Sequence, residues 1–474
     1  MICCRPSRRE LLRLSAIVAG TSLVPLAGSD RAYATAVRPV NLELVTLTET
    51  SAVLTWYTGE PGTDDGLGRM KPAPADGEVA FGTRPGRLDR TAHGGKGTPY
   101  HYVELTGLEP GRTYYYQARS AGKIATPTPV PGAAGGPAGI GTFAFRTPQP
   151  PPGRFLFAVA LCNDLHLGET VAGLVGGLPV KGISQVPGRP PYPEVMAKAL
   201  TKDARARGAA YLLAAGDVSS EAVTGDLGRA RELLDGFGTY HGDYFVARGN
   251  HDRAHDGAPY AACGTGQWQG HDCFRDEFFD ERTYFSRDLN GLHIIGLDTY
   301  DKPGDGGDAG GLSAEQMAWF QADLREHKDQ PTLVFGHHPL LTPDDPLAIT
   351  GGTSLGIGQA VRTMAAYERA PGVFLHHAGH THRNKRTVLP GARHVTQQEV
   401  GAVKEYPGGF TLLRIHSGGY ALNFYKTRGG LAREWSERSR QELGGLWPQL
   451  SFGPAVSDRN SVVARDLSGI TAPS

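Results

Sequence analysis

Five times along the chain a short apolar run stops at a small group of aspartate, asparagine or histidine residues. FLFAVAL leads to Asp164-Leu165-His166, YLLAA to Gly216-Asp217, and YFVAR to Gly249-Asn250-His251-Asp252. TLVF leads to Gly336-His337-His338, and VFLHHA to Gly379-His380-Thr381-His382. Runs this short, bounded by glycine, read as buried strands. A chain whose buried strands keep ending in polar side chains folds as α/β, with its chemistry where rigid strands meet exposed loops. The side chains at these ends are the hard and borderline donors suited to divalent Zn, Mn or Fe.

Between and after the runs, apolar spacing predicts helices over Tyr192–Arg207, Asp226–Gly236, Ser313–His327 and Gly358–Ala370, and Ser313 with Gln316 resembles a capping box. Alternation around Leu292–Asp298 and Phe410–Tyr425 reads as antiparallel sheet. This mixture over residues 154–427 predicts a β-sandwich with helices on its outer faces, αββα, rather than a doubly wound open sheet. Upstream, residues 38–147 read as an all-β sandwich: Leu42–Leu47 and Ser51–Trp56 alternate at the strand period. The turn Leu108-Glu109-Pro110-Gly111 then leads into a tyrosine-rich strand, a pattern that resembles fibronectin type III, with Trp56 expected in the core. Gly59–Gly77 and Pro127–Gly141 read as loops, and PQPPPG at 148–153 as a stiff linker. Residues 428–474 are expected to form a tail, with a charged helical start over Glu434–Leu443 and then polar loop.

At 474 residues the chain is long enough for two or three domains, and its formal charge of zero does not point to a polyanion-binding surface, so no stable nucleic-acid complex is expected. The first 34 residues read as an address: Ser7-Arg8-Arg9-Glu10-Leu11-Leu12-Arg13 resembles the twin-arginine export motif. The apolar stretch Leu14–Ala27 and a small-x-small site at Ala32-Tyr33-Ala34 follow. The expectation is a secreted protein beginning near Thr35, with no membrane segment after cleavage. Cys263 and Cys273 flank a glycine-rich loop and could pair in an oxidising compartment. Cys162, two residues before Asp164, reads as a small buried hydrophobe or, less simply, as a metal-site thiol.

The ordered set Asp-x-His, Gly-Asp, Gly-Asn-His-Asp, Gly-His-x-Pro and Gly-His-x-His resembles the calcineurin-like metallophosphoesterase superfamily, which includes purple acid phosphatases and cyclic-nucleotide phosphodiesterases. The resemblance implies a pair of divalent ions, Fe, Mn or Zn, and a small phosphoester substrate. It implies that Asp164, His166 and His382 bind one ion, that Asn250, His337 and His380 bind the other, and that Asp217 bridges them. Paired ions can activate a water and clamp phosphate oxygens during in-line attack. The Gly-His-x-Pro spacing selects His337 over His338, which reads as a neighbouring support. His251 is expected to face the phosphate as a catalytic group rather than a ligand, with Asp252 fixing its tautomer. His255 is a candidate substrate contact, whereas His376 and His377 read as core groups.

One departure stands out. Purple acid phosphatases carry a tyrosine ligand three residues after the Gly-Asp aspartate, and here that position is Ser220; they also have glycine where this chain has His166. The upstream β-module nevertheless resembles their accessory domain, so layout and donor set point to different branches. Two long loops, Gly168–Pro191 and Ala254–Arg275, follow ligand-bearing strands and are placed to shape specificity. Within this chemistry, nucleotidase or cyclic-nucleotide phosphodiesterase activity, or that of a purple-acid-phosphatase-like phosphatase, is the narrower alternative, and a binding protein that has lost catalysis is the remote one.

Overall fold

The structure is a computed structural model that describes residues 37–65, 69–128, 141–173, 181–303, 307–341, 345, 347, 352–445 and 447–473. The N-terminal address lies outside the described residues, as do most of the Pro127–Gly141 loop and positions 174–180 of the Gly168–Pro191 loop. The chain divides into two compact units, one ending at Thr147 and the other starting at Pro148, with residues 46–48 grouped with the second.

The first unit is a β-sandwich. One sheet joins β1 (Arg38–Leu47), β2 (Ala52–Gly59) and β5 (Tyr100–Leu105); the other joins β4 (Arg90–His93), β3 (Gly77–Gly82), β6 (Thr113–Ser120) and β7 (Lys123–Ile124), with β8 (Phe143–Arg146) also on β6. Trp56 is buried, stacks on His101 with ring centres 4.7 Å apart, and satisfies its indole N–H on Ser120 Oγ at 2.9 Å. Burying so large a ring while pairing its one donor makes it the anchor of the sandwich core. The Tyr114 hydroxyl accepts from the Glu109 N–H at 2.9 Å, so the tyrosine-rich strand ties back onto the turn that precedes it.

The second unit carries two six-stranded sheets. The first has the order β13 (Tyr244–Ala247), β12 (Ala209–Ala215), β9 (Phe155–Cys162), β20 (Gly409–His416), β21 (Gly419–Lys426), β22 (Asn460–Ala464). The second runs β14 (Phe285–Leu289), β15 (Leu292–Gly296), β16 (Thr332–Phe335), β17 (Val373–Ala378), β19 (Thr396–Glu399), β18 (Lys385–Val388). A small hairpin of β10 (Val171–Ala172) and β11 (Ile183–Ser184) stands apart. The motif-bearing strands β9, β12 and β13 are mutually parallel, as are β16 and β17, so their ends point the same way within each sheet. Almost every residue of these strands is buried, as sandwiching between a second sheet and helices requires. Contacts such as His377 Nε2 on the Cys162 carbonyl (3.1 Å) and Phe374 against Tyr420 join the two sheets directly. The Tyr192–Ala206 helix covers β12 and β20, while the Ala314–Glu326 and Ile357–Glu368 helices seal a core with Ile295, Val334 and Val373 of the second sheet. This is the expected αββα sandwich.

Three details differ from the sequence reading. The Leu292 region is antiparallel only to β14 and parallel to β16, because it is an inner strand of a mixed sheet. At the Ala314 helix only half a capping box forms: Ser313 Oγ accepts the Gln316 N–H at 3.0 Å, but the Gln316 side chain turns to the Asp298 backbone instead. The tail does not run on as loop; β22 pairs with β21 and closes the sheet edge.

On β15, His293 is clamped between two carboxylates, Asp288 at Nδ1 and Asp323 at Nε2, each at 2.9 Å, while its ring stacks on His327 at 4.0 Å and 15°. Parallel rings cannot aim lone pairs at one ion, and both His293 nitrogens are occupied, so this group is an ion-pair clamp rather than a metal site. Burial alone would lower the His293 pKa, but the bonds to Asp323 and Asp288 outweigh it and raise it. A raised folded-state pKa contributes stability that is complete below about pH 6.5, the unfolded value, and is lost as pH rises through the folded one. His293→Gln should therefore cost about 1.5–3 kcal/mol in denaturant unfolding at pH 5.5, and the deficit should shrink steadily on the alkaline side. A deficit that is constant with pH would show that the imidazolium has no part in it.

Candidate metal centre

The loops that follow the five strands are knitted together by their backbones. Asp164 N–H donates to the Gly216 carbonyl at 3.0 Å, and Leu165 and His166 N–H both donate to the Asp217 carbonyl at 2.8 and 2.9 Å. His380 N–H bonds Asp164 Oδ2 at 3.1 Å, and His251 N–H bonds Asp217 Oδ1 at 2.9 Å. The result forces unusual backbone: Asp164, His166, Asp217, His380 and His382 all have φ between 47° and 66°. Non-glycine residues reach this left-handed region at roughly 1–2 kcal/mol each, and clusters of them mark functional sites. The glycines between them are needed for close approach. A Cβ on Gly249 would lie 2.1 Å from Asp217 Oδ1, and one on Gly379 would meet Asn163 and Asp164 at 2.7–2.8 Å.

These loops bring together all seven side chains that the sequence analysis took as ligands. Asp164, His166 and His382 form one group whose donor atoms lie within 4.8 Å of one another, and Asp217, His337 and His380 form a second. Asp217 Oδ2 stands between them, 3.4 Å from His166 Nε2 and 3.0 Å from His337 Nε2. Asn250 Oδ1 is 3.1 Å from His337 Nε2, which is itself 3.2 Å from His380 Nδ1. Both ring nitrogens of buried His166 lack a hydrogen-bond partner. Imidazole nitrogens that converge on two buried carboxylates and an amide oxygen, with His166 Nε2 left unpartnered among them, are what a pair of cations would satisfy, so the residues present fit divalent ions. Cys162, buried in β9, joins neither group, and burial raises its thiol pKa.

The electrostatics follow the same geometry. Burial alone would raise the Asp164 and Asp217 carboxyls; the facing imidazoles of His382, His166 and His337 hold both well below the usual range. Burial works against the His337 cation as well, yet Asp217 and Asp164 lift its pKa to about 9. Neighbouring His380, buried and beside His337, falls to about 4. Metal binding must displace protons from this array, because imidazolium and cation compete for the same lone pairs.

His251 and Asp252 behave differently from each other. The His251 ring donates Nδ1–H to the Ser220 carbonyl at 2.8 Å, and its centre lies 4.6 Å from His166. It also comes within reach of His166 and Asp217 as a third possible ligand group, so geometry alone leaves it at the edge of the centre. Asp252 does not touch this ring. Its buried carboxylate accepts from Val218 N–H (3.2 Å), Ser219 N–H (2.9 Å), Ser219 Oγ (2.7 Å) and Gly249 N–H (3.1 Å). The tautomer-fixing task expected of Asp252 thus falls to Ser220, because the carboxylate is consumed in fastening the β12 and β13 loops together. Ser220, at the position of the missing tyrosine, serves through its backbone.

The remaining histidines sort by contact. His338 bonds Thr299 Oγ1 at 2.7 Å and the Asp308 carbonyl at 2.9 Å, a supporting role. His376 meets the Tyr367 hydroxyl at 2.6 Å; burial lowers it to about 3 and His377 to about 4, as befits core groups. His255 stacks on Tyr260 at 4.3 Å in the Ala254–Arg275 loop, which the Cys263–Cys273 disulfide and the buried Arg248–Asp272 pair tie down. Sequence reasoning missed Glu169 and Glu405, which stand behind the His166 and His382 imidazoles, and Lys404, which pairs with them. Only Glu169, three residues after His166, carried a local signal.

Residues 157–384 match the family model described as calcineurin-like phosphoesterase. The chain carries a calcineurin-like phosphoesterase domain. Residues 37–130 match the purple acid phosphatase N-terminal domain. Together with the donor set, the calcineurin-like match makes the protein a metal-dependent phosphoester hydrolase. None of the curated proteins matches the chain in sequence. Among solved structures, a purple acid phosphatase from yellow lupin (Lupinus luteus) is 14% identical, covering 92% of this chain and 77% of its own, with a TM-score of 0.43. A dimetal phosphatase from Danio rerio is 13% identical over 57% of this chain and 96% of its own, at 0.42. PhoD is 11% identical over 92% of both chains, at 0.39. At such identities and TM-scores none of the three bears on the assignment.

The contacts of Asp252 within the phosphoesterase domain lead to a test. Asp252→Asn should cost about 1–3 kcal/mol of stability, since an amide nitrogen would face the backbone donors. It should leave the dependence of rate on leaving-group pKa as it was. A shift in that dependence would mean that Asp252 acts on the His251 ring after all.

Proposed function

We propose that the protein is an exported binuclear phosphoesterase that hydrolyses small phosphomonoesters or phosphodiesters. The observation that supports it most is the single carboxylate of Asp217 standing between two donor groups, His166 on one side and His337 on the other. Asp164, His166 and His382 would hold one ion, Asn250, His337 and His380 the other, with Asp217 shared. When bound, such ions lower the pKa of an attacking water and stabilise charge on the phosphoryl oxygens. Fe, Mn and Zn all suit this donor set.

The chain's own residues do the rest. With Nδ1–H fixed on Ser220, His251 offers Nε2 to a substrate oxygen. Burial lowers its pKa, with the Asp217 charge acting in the opposite direction, and an anionic phosphate would favour the protonated ring that can pass a proton to the leaving oxygen. Ser220 in place of tyrosine argues against a purple iron–phenolate enzyme despite the match of the upstream domain. Rates on a chromogenic phosphomonoester and on a bis-ester, with and without added Mn, would distinguish a monoesterase, a diesterase and a protein without catalysis.

Asp217→Asn is expected to remove most activity and to lower metal content at both positions; two ions per chain at normal turnover would refute the bridge. His251→Ala should retain both ions and lose turnover by roughly 10²–10⁴-fold, with activated esters suffering less. Loss of an ion in that variant would make His251 a ligand.

Export rests on Arg8-Arg9 and on Ala32-Tyr33-Ala34. No described helix is long and apolar enough to cross a membrane. Replacing Arg8-Arg9 by Lys-Lys should leave a folded precursor inside the cell, because such a pair is a receptor-read address. Secretion of that variant at the normal level, measured in the medium, would overturn the export reading.

A further inference from the structure

The four imidazoles of the proposed centre are backed in two ways. His337 donates Nδ1–H to the Ala215 carbonyl at 2.8 Å, and His380 donates Nε2–H to the Gly352 carbonyl at 2.9 Å, both neutral acceptors. His382 instead donates Nδ1–H to the Glu405 carboxylate at 2.6 Å, and His166 Nδ1 stands 3.4 Å from the Glu169 carboxylate. Both carboxylates therefore lie behind the same proposed ion position. Lys404 joins them: its ammonium bonds Glu169 and lies 3.9 Å from Glu405.

Lys404 and Glu405 are almost wholly buried, at 5% and 1% exposure, with Glu169 close to buried beside them. Charges placed so deep cost several kcal/mol each to desolvate. Burial and the Glu405 charge push the neighbouring Glu442 carboxyl toward its neutral form, so one lysine against Glu169 and Glu405 leaves one negative charge over, which a cation held by His166 and His382 would balance. The C-terminal segment holds the arrangement from behind. Trp435 Nε1 donates to the Lys404 carbonyl at 2.7 Å, and its ring stacks at 3.9 Å on Tyr192, whose hydroxyl bonds Glu169. Glu442, also buried, hydrogen-bonds Glu405. None of Lys404, Glu405, Trp435 and Glu442 falls within the matched phosphoesterase residues 157–384.

We propose that Glu169, Lys404 and Glu405 form a charged brace that makes the His166/His382 position the tighter of the two, and that the C-terminal segment fixes this brace through Trp435. The proposal rests on the binuclear reading above. A carboxylate behind an imidazole locks its orientation and raises its basicity, whereas a backbone carbonyl does the first and much less of the second. These are positioning residues, and their effect belongs in metal affinity before it reaches turnover.

The test is calorimetric titration of Mn²⁺ into the metal-stripped full-length protein. The wild type should show two unequal steps. Glu405→Gln keeps an oxygen for the His382 N–H but removes the charge; it should weaken the tighter step roughly 10–100-fold and leave the weaker step within about twofold. Glu405→Asp should recover part of the loss. Trp435→Phe keeps an aromatic ring against Tyr192 but removes the bond to Lys404 and part of the stacked surface, so it should weaken the same step and covers the case in which Glu405→Gln does not fold. Equal weakening of both steps, or none in either variant, overturns the brace while leaving the binuclear reading intact. A wild type that takes up only one Mn²⁺, or none, overturns both.

Discussion

Asp164 and Asp217 are buried carboxylates at a depth where an unpaired charge would be intolerable, and the second unit is organised around supplying their partners. Asp217 lies at the end of β12, Asp164 past the end of β9, and the imidazoles that face them come largely from the opposite sheet through β16 and β17. Neither sheet alone could satisfy both charges. The sandwich is thus tied to its chemistry: two sets of parallel strands must deliver their ends to one place before either carboxylate can remain ionised. The strained backbone at Asp164, His166, Asp217, His380 and His382 follows from that demand. It persists because neighbouring backbone bonds over-determine the loops.

What could be read from sequence was whatever chemistry leaves close together along the chain. A strand and the donor at its end are contiguous, so five such units revealed the α/β class and the seven donors that converge. The glycines that open four of these groups mark places where a neighbouring segment comes too close for a Cβ, a demand that sequence shows only as a boundary. Asp252 shows the limit. Its place beside His251 invited a partnership with the ring, but adjacent side chains in a tight turn diverge, and its four donors come from Val218, Ser219 and Gly249. Gln316 misled in the same way: the capping-box spacing is local, while the buried Asp298 backbone that claims its side chain is not.

The residues that sequence did not reveal are those set by distance. Lys404 and Glu405 lie more than two hundred residues from Glu169, and no spacing rule connects them. They meet because the segment after β19 returns across the first motif, where Val403 and Lys404 N–H bond the Asn163 and Asp164 carbonyls at 3.1 and 3.0 Å. The same holds for the tail. Its polar composition hid a strand because β22 is an edge strand, half-buried along most of its length, which needs no continuous apolar run to pair.

The upstream match to a purple acid phosphatase domain and the donor set of the second unit point to different relatives, and the physical argument favours the donors. A β-sandwich can be attached to many enzymes without altering their reaction, whereas exchanging a phenolate for a serine at Ser220 changes which electrons reach a metal. Here the exchange goes further than loss. The Ser220 carbonyl takes the His251 Nδ1–H, so the position that elsewhere carries a ligand instead orients the ring beside the centre. His166 adds an imidazole where those enzymes carry glycine, so one neutral nitrogen donor is gained where an anionic oxygen donor is lost. In the proposed centre that trade would lower the negative charge of the ligand set, and Glu169 and Glu405, which stand behind the imidazoles, would restore it at one remove.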